Sequence, residues 1–321
     1  MIDRIELKYS VGALLYSPAL NRKVADSVIS EKFERPYSLA LCLEDTISDD
    51  SVEMAEKQLN MTLQKIADAK KSKDFYKPMI FIRVRSYDQL IKIFNEYREN
   101  MEVVDGFIFP KYSLPNADNY NAAIRDINKS SNKVFYMMPI LESKDIIEYS
   151  TRHQVLAALK EKIDSMKEYV LNIRVGGNDF SNEFAARRHY DETIYDILPI
   201  SQLLGDILTV FSRDYVVSGP VWEFFSSDND EWKRGLRNEL KYDRLNGFVG
   251  KTVIHPKQIK IINEALKVTQ KDYEDAKTIL NWDENGLQVG KSFAGERMNE
   301  VKTHINWAYK TMVLAEIYGV I

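Results

Sequence analysis

Along the chain, short apolar runs rich in β-branched and aromatic residues alternate with longer segments in which apolar residues return every three or four positions. That rhythm predicts repeated βα units. The strand-like runs are Gly12 to Ser17, Leu39 to Glu44, Met79 to Val84, Gly106 to Pro110, Val134 to Leu141, Leu171 to Val175, Tyr215 to Ser218 and Phe248 to Ile254. Eight is the number at which parallel strands close into a (β/α)8 barrel, and nearly continuous apolar strands suit burial on both faces. Between them, segments such as VEMAEKQLNMTLQKIADAKK and DQLIKIFNEYREN have the period of outer helices. After the eighth run a helix is expected near Lys257 to Leu266, and Met298 to Ile321 reads as one amphipathic helix with Ile305, Ala308, Met312 and Ala315 on a shared face. The expected organisation is a barrel over 1–280 and a helical extension over 281–321, packed on its own barrel or on a neighbouring subunit. The charge-dense stretch SSDNDEWKRGLRNELKYDR, with mixed signs at helical spacing, is read as a solvated helix face.

Composition narrows the class. The chain has 321 residues, enough for a barrel of about 250 residues and an appendage. Its 44 basic and 48 acidic residues give a formal net charge of −4, which offers nucleic acid no global attraction. A single cysteine, Cys42, excludes an internal disulfide, and no Cys/His cluster has zinc-site spacing. No run of 18 apolar residues and no export signal is seen. The expectation is a cytoplasmic protein with no nucleic-acid and no membrane partner. Neither G-x-G-x-x-G, nor a phosphate-binding G-x-x-x-x-G-K-[ST], nor G-x-S-x-G is present.

In a barrel, polar residues at the carboxyl ends of strands point into one mouth. Glu142 and Asp179 would follow the fifth and sixth strands, where two converging carboxylates need a cation or a shared proton; Mg2+ suits such oxygen ligands. The alternative is that each acid favours the N-terminus of the helix after it. Arg83 ends an apolar strand, where a charge has no packing reason to be. It is either a fork for a substrate carboxylate or the partner of Glu44 or Asp45, with Arg85 two residues on as a second contributor. Glu44 and Asp45 are candidates for a general base, for holding a metal-bound water, or for a helix cap. His255, before Pro256, is a candidate substrate contact or a hydrogen-bonded structural residue.

In this order, LCLEDTIS, FIRVRS, FIFPK, MMPILES, RVGGNDFSN and GFVGKTVIHPKQI resemble the HpcH/HpaI aldolase/citrate lyase family, nearest its citrate lyase beta-subunit-like members. The whole is similar to the C–C bond lyase branch that accompanies tellurite-resistance and stress gene clusters. The resemblance implies a TIM barrel of the phosphoenolpyruvate/pyruvate superfamily with a divalent metal, usually Mg2+, at its mouth. It implies Glu142 and Asp179 as metal ligands and Arg83 as the arginine that binds substrate carboxylate or carbonyl oxygen. Glu44 and Asp45 match the acidic pair of the DLED motif. SPALNRK resembles the N-terminal PGxxPxK-like stretch, which places Lys23 near an acyl or phosphate tail.

Three departures stand against it: Cys42 replaces the first acid of DLED, Ala294 in AGERM replaces an acid used in thioester chemistry, and none of His153, His189, His255 and His304 lies early in the barrel. The expected activity is Mg2+-assisted cleavage or formation of a carbon–carbon bond beside a carbonyl, through an enolate. Its substrate would be a carboxylate-bearing keto acid or an acyl-thioester such as one of coenzyme A, and family habit implies a homo-oligomer. The rival reading is a non-catalytic oligomeric barrel that binds an acyl or keto-acid ligand within a biosynthetic or stress-response complex.

Overall fold

The computed structural model describes residues 4–283 and 286–321. Eight parallel strands, β1 (Ala13–Pro18), β2 (Ser38–Cys42), β3 (Met79–Arg83), β4 (Gly106–Phe109), β5 (Tyr136–Leu141), β6 (Ile173–Val175), β7 (Val217–Ser218) and β8 (Lys251–Val253), neighbour one another in chain order. β8 pairs with β1, Thr252 opposite Leu14, and the Gly219–Lys251 bridge joins β7 to β8, so the sheet closes on itself. α1 (Arg4–Tyr9) precedes β1. The crossovers carry α2 (Val24–Ile29), α3 (Val52–Ser72), α4 (Tyr87–Glu96), α5 (Leu114–Lys129), α6 (Arg152–Asp164), α7 (Gly177–Glu183), α8 (Leu198–Phe211) and α9 (Glu231–Asn246). α10 (Lys257–Leu266), α11 (Gln270–Leu280) and α12 (Val301–Tyr318) follow β8. This is the (β/α)8 barrel that the alternation of runs predicts.

Alternate residues of each strand serve two cores. Leu14, Ala40, Phe81, Ile108, Met138 and Ile140 meet inside the barrel, whereas Leu15, Leu39, Leu41, Ile80, Ile82, Phe107 and Met137 pack between sheet and helices. Double burial is why the strands read as apolar runs rather than as alternation. Helix α3 buries Ala55, Leu59, Leu63, Ile66 and Ala67, one stripe at helical spacing. Helix starts are capped where the sequence allows: Ser86 accepts the Gln89 N–H at the start of α4, and Ser113 with Asn116 forms a capping box on α5.

Three expectations change. The eighth run narrows to Lys251–Val253, because Gly250 has φ +76°, outside the extended region. Met298–Glu300 is not helical but the strand β10, antiparallel to β9 (Val289–Lys291), and the buried seam of α12 runs through Ala308, Thr311, Ala315 and Tyr318, leaving Ile305 and Met312 partly exposed. The charged stretch leading into α9 is not a wholly solvated face. Glu239 and Asp243 are buried and hold Lys251 Nζ at 2.8 Å each, while Arg188 pairs with Glu239 at 3.1 Å and the Tyr195 hydroxyl donates to Asp243 at 2.6 Å. Mixed charge at helical spacing hid an inward-facing pair of acids, whose partners lie outside the helix, on the strand that follows and in the segments before α8.

Candidate active site

Each barrel strand ends in a turn that aims its next side chains at the same mouth, and charged residues accumulate there. Arg83, the last residue of β3, lies 2.6 Å from Glu44 Oε2, 2.9 Å from Asp45 Oδ2 and 3.6 Å from Glu142 Oε1. Lys111, just after β4, lies 3.0 Å from Glu44 Oε1, 3.5 Å from Asp45 Oδ1 and 4.0 Å from Asp179 Oδ1, while its backbone N–H donates to Glu142 Oε1 at 2.9 Å. Four acids from the ends of β2, β5 and β6 thus share two cations from β3 and β4. The ion pair between Arg83 and the Glu44–Asp45 couple, one of the two readings open from the sequence, is present in this state of the site.

Glu142 is the most constrained of the four. It is 5% exposed, and the backbone of Gly176 lies so close that a Cβ there would sit 2.2 Å from Glu142 Oε2. A side chain at position 176 would displace the carboxylate, so the first glycine of GGND makes room for it. Burial pushes the Glu142 carboxyl up to about 8; Arg83 and the Lys111 N–H oppose that shift, and Asp179 and Glu44 add to it. Burial likewise raises Glu44 against the pull of Arg83. Asp45, half-exposed, is also penalised by burial, but its hydrogen bond with Glu44 and the charges of Arg83 and Lys111 outweigh that and lower its pKa. Arg83 stays firmly charged: burial works against it, and Tyr16, Glu142 and Glu44 more than compensate.

The charge balance at the mouth asks for a cation. With all four carboxylates ionised, Glu44, Asp45, Glu142 and Asp179 exceed Arg83 and Lys111 by two charges, which equals one divalent ion; without a cation the raised Glu142 carboxyl holds a proton instead. Glu142 and Asp179 offer hard oxygen donors of the kind Mg2+ takes. Among the described residues no three His, Cys, Asp or Glu side chains are grouped tightly enough to hold a metal alone. An ion held by these two carboxylates would fill its shell with water or substrate, as Mg2+ usually does. The residues fit the group.

Not every sequence candidate comes to this cluster. Lys23 is exposed at the start of α2, its backbone N–H bonded to Asn21 Oδ1. His255 stacks on Phe225 at 4.9 Å, and its Nδ1 accepts the Lys257 N–H; burial and Lys257 lower its pKa. Arg85 turns away from the mouth and ties down the loop after β2, pairing with Asp49 and donating to the Ile47 carbonyl at 2.9 Å. Conversely, three members of the site were not singled out in the sequence. Lys111 stands in FIFPK directly after Pro110. Tyr16 on β1 lies with its ring 5.8 Å from the Arg83 guanidinium, and Arg174 on β6 is 1% exposed inside the barrel. A charged residue within the apolar run LNIRV was the available signal for Arg174. A cleft of about 530 Å³ between α9, α10 and α12, lined by Leu240, Phe248, Trp307 and Lys310, lies at the amino end of β8, away from this chemistry.

Comparisons with known proteins agree with this architecture. The model of a C–C bond lyase family of the TIM-barrel fold matches residues 5–320. The structure of CitE from Mycobacterium tuberculosis in complex with magnesium, acetoacetate and coenzyme A is similar at a TM-score of 0.61 and 15% identity, covering 96% of this chain and 99% of that one. A citrate lyase from Burkholderia xenovorans aligns at 0.67 and 12% identity over 97% and 93% of the two chains, and RipC from Yersinia pestis at 0.51 and 15% over 80% and 95%. No curated protein matches the sequence. The family match over nearly the whole chain, on a barrel shared with citrate lyase beta subunits, bears out the resemblance carried by the ordered motifs, and the chain belongs to the C–C bond lyase family of the TIM-barrel fold.

Proposed function

We propose that this lyase is Mg2+-dependent and cleaves or forms a carbon–carbon bond beside the carbonyl of a carboxylate-bearing keto acid or acyl-thioester, through an enolate. The observation that carries the reading is Glu142: a carboxyl buried beside Asp179, pushed up to about 8, in a mouth where four acids face two cations. Glu142 and Asp179 would hold the ion, which when bound supplies charge stabilisation for an enolate oxygen. That M. tuberculosis CitE was crystallised with magnesium and acetoacetate or oxaloacetate supports the same ligand chemistry here.

The remaining steps fall to the chain. Arg83 exchanges part of its pairing with Glu44 and Asp45 for a substrate carboxylate and so orients the bond to be broken. Glu44 takes the hydroxyl proton: burial raises its pKa and makes it a stronger base than Asp45, whose pKa is lowered. As the carbon–carbon bond breaks, the carbon that bore the hydroxyl leaves as a second carbonyl and the bond electrons pass to the first, giving an enolate whose carbon takes back the proton held by Glu44. Lys111 keeps Glu44 and Asp179 in place meanwhile. Lys23 and His255, on the rim, are the contacts left for an acyl or coenzyme A tail. The unpaired, buried Cys42 supports a reducing, cytoplasmic setting. The apolar residues exposed around the β9–β10 hairpin, Leu287, Phe293 and Met298, support a subunit contact through the 281–321 extension, hence a homo-oligomer.

The test combines binding and turnover. Mg2+ with oxaloacetate or pyruvate raises the unfolding temperature of the wild type, and Glu142→Ala or Asp179→Ala removes that response. Mass spectrometry of a panel of hydroxy-keto acids and acyl-thioesters shows cleavage by wild type and a loss of about 10²-fold or more in Glu44→Gln. An unchanged metal response in both carboxylate variants would sink the metal assignment.

A further inference from the structure

Away from the mouth, the cleft between α9, α10 and α12 has a lining that the lyase chemistry does not use. It encloses about 530 Å³, within the range of small-molecule sites, and most of its wall is apolar: Leu240, Phe248, Ile262, Val268, Trp307 and Leu314. Lys310 of α12 enters this wall. An ammonium carries three donors, and Lys310 Nζ places one of them, on the Gly247 carbonyl at 3.2 Å. Among the described residues no carboxylate pairs with it. Burial lowers its pKa, and no charged neighbour offsets that.

The acids on the same wall are already engaged. Asp243 holds Lys251 at 2.8 Å and accepts from the Tyr195 hydroxyl at 2.6 Å, Asp272 pairs with Arg297 at 2.6 Å, and Glu264 lies 3.6 Å from Arg237. The other two basic residues of the cleft, Arg244 and Lys267, are exposed and form no ion pair among the described residues. The uncompensated charge of the cleft is therefore positive. Nor is Lys310 needed to finish α9. The Gly247 N–H already bonds the Asp243 and Arg244 carbonyls, with Gly247 at φ +103°, so the helix closes on its own glycine.

We propose that this cleft binds an aliphatic monocarboxylate, its hydrocarbon chain against the apolar wall and its carboxylate on Lys310. An anion with a tail fits better than a purely polar or a purely apolar ligand. The wall gives affinity roughly in proportion to the apolar area it covers, which a small polar anion leaves wet. The ammonium, poorly solvated in the cleft, gains a charge-assisted hydrogen bond from a carboxylate and nothing comparable from a neutral chain. The site lies at the amino end of β8, away from the mouth, so its occupant and the lyase substrate do not compete.

The probes are decanoate and decanol, titrated calorimetrically into the full-length protein. Wild type binds decanoate at least about tenfold more tightly than decanol, the effect expected of one charge-assisted hydrogen bond. Lys310→Met, which keeps an apolar stem in the wall, brings that ratio near one while decanol binding persists; Leu314→Trp, which fills the cleft, removes both. A decanoate brominated along its chain quenches tryptophan emission in wild type through Trp307, and that quenching is lost in Trp307→Phe. An unchanged decanoate preference in Lys310→Met overturns the site, as does quenching that survives in Trp307→Phe or a wild type that binds neither probe. A lysine serving only the end of α9 would lower the unfolding temperature on replacement by Met and leave the ratio as it is, and that pair of results also overturns the site. Mg2+ with oxaloacetate leaves decanoate affinity unchanged; displacement would put the carboxylate in the mouth instead of the cleft.

Discussion

Glu142 couples the chemistry of the site to pH. Its carboxyl ionises near 4.5 in the unfolded chain and is pushed up to about 8 in the fold, so between those values the folded protein binds the extra proton. Stability without metal therefore falls as pH rises through that window, and a cation, which needs the carboxylate, binds better over the same range. Mg2+ affinity measured by calorimetry should rise up to about tenfold per pH unit from pH 6 to about 8 and then level off. In Glu142→Gln the metal-free protein should lose this pH dependence of stability, and Mg2+ binding should be lost at every pH. A flat Mg2+ affinity in wild type would remove Glu142 from the coordination shell. At this scale Glu44, Arg83, Glu142 and Asp179 were legible as site candidates because a charge ending an apolar strand has no packing purpose. Arg174 carried the signal of a charge inside LNIRV but not its placement, and Tyr16 carried none, since nothing in LNIRV or GALLYS tells which residues of distant strands face each other across a barrel.

Among the elements, α9 shows how local pattern and tertiary burial diverge. Its acids Glu239 and Asp243 face the barrel, where Lys251 at the start of β8 is 0% exposed and bonds both. Removing one partner of such a buried cluster leaves uncompensated charge. Lys251→Met should lower stability by about 3–5 kcal/mol in urea unfolding, whereas breaking a fully exposed surface pair such as Lys57–Glu53 should leave the unfolding midpoint almost unchanged. Equal effects for the two would show that the α9 cluster is hydrated. The strands and most helices were legible from apolar periodicity, and α10 has the bounds expected. The inward turn of α9 was not, because nothing in its own pattern shows that Lys251 of the next strand and Arg188, some way back along the chain, converge on one face of it.

For the molecule as a whole, the two ends of the barrel have different work. At the carboxyl ends, four acids and two cations gather at the mouth. At the amino ends, Leu7 of α1 and Val11 pack against the interior cluster, and α12 closes over them. The Tyr318 hydroxyl donates to the Tyr9 carbonyl at 2.8 Å, and it lies where a Cβ on Gly12, at φ +50°, would stand 2.3 Å away. Tyr318→Ala should cost about 3–5 kcal/mol, as for other buried aromatic truncations, and leave the Mg2+ response of the remaining folded protein intact. Denaturation with and without Mg2+ checks this, and a lost metal response at full folding would tie α12 to the site. Among the described residues, no helix is long and apolar enough to cross a membrane.

The sequence by itself determined the barrel, the family and the acids of the mouth. Apolar strands buried on both faces and charges at their ends are local signals that survive without coordinates. Only the tertiary structure decided that Lys111 sits among those acids, that Gly176 makes room for Glu142, that Lys23, Arg85 and His255 stay outside the cluster, and that Arg174 reaches from β6 to Thr252 on β8. Each of these depends on how a closed sheet sets the register of strands far apart in the chain, and side-chain periodicity along one strand carries no information about its neighbour.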